Sequence, residues 1–161
     1  MPRSTEISAG LLVFRRVNEP EVLLGHPGGP FWAKKDDGVW TIPKGVAEPG
    51  DDLLATARRE FTEETNLPLD SAAGGLIALS PVKQKSGKIV HAFAVEADLD
   101  LALFASNSFE IEWPPRSGRR QRFPEVDRVA YFTLPVAMGK ISAYQKPFLR
   151  ELGEQLGLQL S

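Results

Sequence analysis

Three glutamates, Glu60, Glu63 and Glu64, lie three and four residues apart in the stretch GVAEPGDDLLATARREFTEETNL, residues 45–67. On a helix that spacing puts their side chains on one face. Like charges so placed destabilise an isolated helix by roughly 0.2–0.5 kcal/mol per pair. A hard divalent cation turns the repulsion into a binding site, because Mg²⁺ takes a few carboxylate oxygens and completes its octahedron with water and phosphate. The glutamates alone leave a second reading open, a solvated face on which Arg58 and Arg59 dilute the charge.

The surrounding residues supply the helix that would carry this chemistry. Glu48-Pro49-Gly50 reads as a turn, and Asp51 or Asp52 is placed to cap the first helical turn by accepting backbone N–H bonds. Leu54, Ala57 and Phe61 recur at helical spacing and give an apolar side for burial. Asn66 lies near the C-terminal end, where a left-handed residue stops a helix and asparagine substitutes for glycine.

With its residues in this order, the stretch resembles the signature of the Nudix hydrolases: a glycine, five residues, a glutamate, seven residues, then Arg-Glu-apolar-any-Glu-Glu-any-Gly-apolar. Gly45, Arg59, Glu60, Phe61, Glu63, Glu64 and Leu67 match in register. Asp51 stands in place of the first glutamate, with a shorter reach towards Arg59, and Asn66 in place of the second glycine. The resemblance implies an α/β/α sandwich around a mixed sheet. It also implies a Mg²⁺ or Mn²⁺ site built from Glu60, Glu63 and Glu64 with the backbone carbonyl of Lys44, the residue before the first glycine. Arg59 would orient the carboxylates, and Glu60, by analogy, would help activate the attacking water, with Glu63 beside it. Members of the resembled family also place an acid in the region of residues 123–128, a few residues ahead of an aromatic in the following strand. Glu125, ahead of Tyr131, fits that place, with Glu112 competing.

The implied activity is cleavage of the diphosphate link of a nucleoside diphosphate derivative. Trp40-Thr41-Ile42-Pro43-Lys44-Gly45 resembles the approach to the signature in enzymes acting on dinucleoside polyphosphates, whereas Pro81 resembles a proline of ADP-ribose pyrophosphatases. Two other readings stand beside it: a non-catalytic nucleotide-sensing module, and an enzyme processing RNA 5′ ends. For the latter, Arg116, Arg119, Arg120 and Arg122 in RSGRRQR would contact phosphate through their planar forks. Arg116, Arg119, Arg120 and the Lys44 ammonium are the candidate substrate cations on either enzymatic reading. A solvated basic loop explains the arginines equally well.

Composition bounds these alternatives. A chain of 161 residues is read as one domain, residues 1–161, long enough to bury a substantial core. A net charge of −2 gives no global attraction to nucleic acid or anionic membrane, so any such role needs a local patch. The absence of cysteine excludes disulfides, thiolate metal sites and a cysteine nucleophile. MPRSTEISAG has no long apolar core, which favours a cytoplasmic location. The Gly45-to-Gly50 spacing is not a P-loop, because Asp51-Asp52 follow where Lys and Ser/Thr are required.

The remaining pattern predicts the frame. Strands are expected at 7–16, 21–25, 39–42, 75–82, 89–97, 109–113 and 129–134. Residues 26–38 form a Gly/Pro-rich loop in which His26 or Trp32 either meets a base or pins the loop to the core. His91 reads as a sheet residue rather than a ligand. Residues 142–158 carry Phe148, Leu149, Leu152 and Leu156 at helical spacing and predict a second amphipathic helix.

Overall fold

The computed structural model describes residues 6–69 and 74–158. The expectation for the first five residues therefore lies outside the described part. β1 (Ile7–Arg16) and β2 (Pro20–Pro27) form the opening hairpin, with Phe14 opposite Val22 and Arg16 opposite Pro20. β3 (Lys44–Ala47) pairs with the other half of β1, Ile7 to Gly10. α1 (Leu53–Thr65) follows, then β4 (Gly74–Ala78), β5 (Val82–Lys83) and β6 (Ile89–Glu96). β7 (Ser108–Glu112) and β8 (Arg120–Pro124) make a separate hairpin, and β9 (Val126–Thr133), α2 (Leu134–Lys140) and α3 (Lys146–Gln155) close the chain.

The main sheet runs β4-β6-β1-β2-β9, with β3 on β1 and β5 on β6. The β1–β6 pairing is parallel and the others antiparallel, so the sheet is mixed. β1 is apolar almost throughout because both its faces are covered. Alternation sends Leu12 and Phe14 to one side, with Val22, Leu24, Phe148, Leu149 and Leu152. Ala9, Leu11 and Val13 go to the other, with Ala57 and Phe61 of α1. The result is the expected α/β/α layering.

Several expectations need correction. Residues 39–42 do not form a strand; Thr41 and Trp40 make isolated bridges to Gly25 and Ile141, and the strand begins at Lys44 instead. Trp40 and Ile42 are apolar because they fill the core. The strand expected over 75–82 is broken at residues 79–81 into β4 and β5. Residues 120–122 belong to β8 rather than to a loop. The helix expected over 142–158 begins at Lys146, with Pro147 in its first turn, and a short 3₁₀ turn at Ala143–Gln145 precedes it. No described helix is long and apolar enough to cross a membrane.

Candidate active site

α1 starts and stops as its sequence dictates. Asp52 is the cap, its carboxylate accepting the Leu54 N–H at 3.1 Å. Asp51 instead accepts the Glu48 N–H at 2.9 Å and closes the preceding turn, so it does not reach Arg59. Asn66 ends the helix at φ 55°, in the left-handed region. Between these ends, Ala57 and Phe61 anchor one side in the core, Glu60 and Glu64 meet β3 at Gly45 and Lys44, and Glu63 is half exposed beside Arg59.

Glycine at position 45 is required by sterics rather than by φ. A β-carbon there would overlap the carboxyl group of Glu60, which lies directly against the glycine backbone. Gly10 performs a related service on β1, where a β-carbon would press on the Pro43 carbonyl and the Lys44 side chain. These two glycines let β3 sit close to both β1 and α1. The Lys44 N–H then donates to Glu64 Oε2 at 3.2 Å.

The carboxylates differ in environment. Burial raises the Glu64 carboxyl to about 8; Lys44 opposes the shift through its charge and N–H, while Glu60 and Glu125 add to it. Burial is also the main cause of the raised Glu60 value, with Glu63 and Glu125 adding repulsion and Arg59 opposing it. The Glu60 side chain is 18% exposed and that of Glu63 48%. Arg59 lies 3.6 Å from Glu60 and 3.9 Å from Glu63, so its guanidinium spans the two.

Glu125 is thus electrostatically coupled to Glu60 and Glu64 although it lies some sixty residues away in the chain. Backbone bonds place it: its N–H donates to the Asn107 carbonyl at 2.9 Å, and the Asn107 N–H donates to the Glu63 carbonyl at 3.0 Å. Glu112 is elsewhere, at the far end of β7, where it accepts the Arg116 N–H at 2.7 Å. Sequence reading had no signal for Asn107, a polar residue between two elements with no pattern around it.

Among the described residues, no three acidic or histidine side chains are already closed into a cation cage. Each carboxylate leans on its nearest positive group instead, Glu64 on the Lys44 amide and Glu60 and Glu63 on Arg59. The donor set nonetheless suits a hard cation: carboxylate oxygens from Glu60, Glu63, Glu64 and Glu125, with Glu60 in a cradle that a β-carbon would fill. A depression of about 590 Å³ bounded by Ile7, Val46, Glu48, Pro49, Asp51 and Leu53 adjoins the start of α1, and none of the three glutamates lines it.

The other candidate residues separate by position. Across the β7–β8 hairpin, Arg120 stands opposite Glu112 and Arg122 opposite Glu110, so each has an acidic cross-strand neighbour. Arg116 and Arg119 lie in the connection at the hairpin tip. His26 is fully buried, with Nδ1 2.9 Å from Asp127 and Nε2 donating to the Lys35 carbonyl at 2.6 Å. It pins the 28–38 loop to β9 and is not available to a ligand. His91 is a strand residue of β6, paired with Ala9.

Comparisons with known proteins bear on the family and the fold. The "Nudix hydrolase 7" of Arabidopsis thaliana is 38% identical over 64 residues, 40% of this chain and 22% of that protein. The "RNA pyrophosphohydrolase" of Rhodopseudomonas palustris (strain BisA53) is 39% identical over 46 residues, 29% of this chain and 26% of that protein. The chain thus spans about a quarter of the length of these relatives. Among solved structures, an Ap4A hydrolase binary complex from C. elegans superposes with a TM-score of 0.62 at 22% identity, covering 93% of this chain and 98% of the other. The NUDIX domain of Shewanella oneidensis NrtR, complexed with ADP ribose, gives 0.64 at 15% identity, covering 96% and 90%. These two likenesses establish the shared fold. The family profile of the NUDIX domain matches residues 5–152, nearly the whole chain, and the chain belongs to the Nudix family.

Proposed function

We propose that the protein is a divalent-metal-dependent pyrophosphohydrolase that cleaves the diphosphate link of a nucleoside diphosphate derivative, with dinucleoside polyphosphates the first class to test. The observation that carries this reading is the gathering of carboxylates at the β3–α1 contact, Glu60 against Gly45 and Glu64 on the Lys44 N–H, with Glu125 tied to α1 through the backbone of Asn107. Two carboxyls raised by burial at one place, Glu60 and Glu64, are costly to fold and support a site with a chemical task.

Nudix hydrolases generally use divalent metals such as Mg²⁺. In this chain Glu60, Glu63, Glu64, Glu125 and the Lys44 carbonyl would hold Mg²⁺ or Mn²⁺. When bound, such ions polarise phosphoryl oxygens and make a nearby water more acidic. The protein's own share is positioning. Arg59 keeps Glu60 and Glu63 at a fixed spacing, the Lys44 amide holds one oxygen of Glu64 and leaves the other free, and Gly45 lets Glu60 lie flat on β3. Glu60, the more enclosed partner of that pair, is the candidate base for the attacking water. The Lys44 ammonium, which acts on Glu64 through its charge, would meet a substrate phosphate.

The test is a panel of diphosphate-linked nucleotides incubated with Mg²⁺, with Mn²⁺ and with chelator, products identified by mass. Metal-dependent release of a nucleoside monophosphate supports the proposal, and binding without turnover points to a sensing module instead. RNA 5′-end processing is the second reading, suggested by the Rhodopseudomonas relative. The acidic neighbours of Arg120 and Arg122 weaken the patch it would use. RNA binding that falls steeply with salt would support it.

A further inference from the structure

The 28–38 loop and the β7–β8 hairpin meet through aromatic side chains that the chemistry above does not use. Phe31 and Trp113 stand edge to face, centroids 5.1 Å apart at 77°. Phe109 on the same hairpin face fills the space above Gly29. A T-shaped pair leaves ring surface unstacked, and Phe31 remains 61% exposed after the contact. An aromatic left this open costs free energy in water unless something covers it.

The charges beside this pair are sorted by the hairpin. The Trp113 N–H donates to the Arg119 carbonyl at 2.8 Å, which continues the β7–β8 ladder by one pair. Directly opposed residues project to the same face, so Arg119 shares the face of Trp113. Arg120 and Arg122 project to the other face, with Glu112 and Glu110. The aromatic face therefore offers a ring surface beside a guanidinium, the pairing that a base with a phosphate near it needs.

Its loop is also tied to the backbone of Glu125. The Gly28 N–H donates to the carbonyl of Glu125 at 2.9 Å, and Phe31 follows three residues later, so its backbone lies within about 14 Å of that carbonyl. The loop that carries Phe31 is thus anchored on the backbone of the residue whose carboxylate acts on Glu60 and Glu64. Resting on the function proposed above, we infer that Phe31, Trp113 and Arg119 form the site for the nucleoside end of the substrate, the base stacking on the rings and Arg119 meeting a phosphate oxygen.

Fluorescence tests the site without turnover. Of the three tryptophans, Trp40 is buried at 3% exposure, so a Trp32→Phe background leaves Trp113 as the accessible reporter. AMP added to this protein in metal-free buffer quenches it saturably, ribose 5-phosphate does not, and adenosine binds more weakly than AMP. Phe31→Ala, a truncation at an exposed position, weakens AMP by about tenfold, or ~1.4 kcal/mol, within the range of base stacking. Arg119→Gln lowers AMP to the level of adenosine. Equal AMP binding with and without the Phe31 ring, or ribose 5-phosphate binding as tightly as AMP, overturns the site. Hydrolysis is read separately. No turnover together with Phe31-dependent AMP binding would remove the proposed function and keep the site. Turnover whose KM is unaltered by Phe31→Ala would remove the site and keep the function.

Discussion

Glu64→Gln in metal-free protein removes a carboxylate that folding forces out of water, and its effect on stability has a definite sign. Burial raises Glu64 from 4.5 to about 8, so between those values the folded state holds a proton that the unfolded state has released. Stability contributed by Glu64 is therefore full below about pH 4.5 and is lost as pH rises towards 8. Glutamine keeps the acceptor for the Lys44 N–H but carries no charge at any pH. The two proteins should match near pH 4.5, and the variant should gain steadily above it. At about 1.36 kcal/mol for each tenfold change in proton affinity, the limit at pH 9 is about 5 kcal/mol. Residual hydration of the charge brings the expected gain to about 2–3 kcal/mol. Urea denaturation at a series of pH values in chelator measures the difference directly, with equal m-values as the check on two-state behaviour. A difference that does not change with pH, or a variant less stable at pH 9, would refute the account of Glu64 as a buried, strained acid. Adding Mg²⁺ should reverse the order, since only the parent retains the carboxylate.

Other substitutions probe the frame. Gly45→Ala drives a β-carbon into the Glu60 carboxyl; misplacement of about 1 Å should cost about 100-fold in kcat, with the circular dichroism spectrum retained. Asp52→Ala removes the α1 cap and should cost about 0.5–2 kcal/mol, lowering Tm by about 1–8 °C in a scan. His26→Ala leaves the Lys35 carbonyl and Asp127 without their partner; it should destabilise by about 2–3 kcal/mol, with amide exchange accelerating across residues 28–38.

Legibility in the sequence followed the length and regularity of each element. α1 could be placed because its apolar positions, cap and stop agree with one another, and its glutamates because their order matches a family pattern. β8 could not, since Arg-Gln-Arg-Phe-Pro has little apolar alternation, and its cross-strand neighbours Glu110 and Glu112 lie in a separate stretch of the chain. α2 was missed because Pro135 and Gly139 in seven residues look like punctuation. Trp40 and Ile42 imitated a strand because core filling and strand formation select the same residues. Glu125 was reached through the family pattern alone, as backbone bonds through Asn107 leave no mark on composition. The closeness that Gly10 permits was likewise invisible, a glycine in a strand having many explanations.

The most direct test of the central claim is Mn²⁺ uptake, measured by loss of the free-ion electron paramagnetic resonance signal, in the parent, Glu60→Gln and Glu64→Gln. Saturable binding in the parent, weakened at least about tenfold in each variant, is the predicted result. Equal Mn²⁺ affinity in all three proteins, or none in the parent even with a nucleotide diphosphate present, would contradict it.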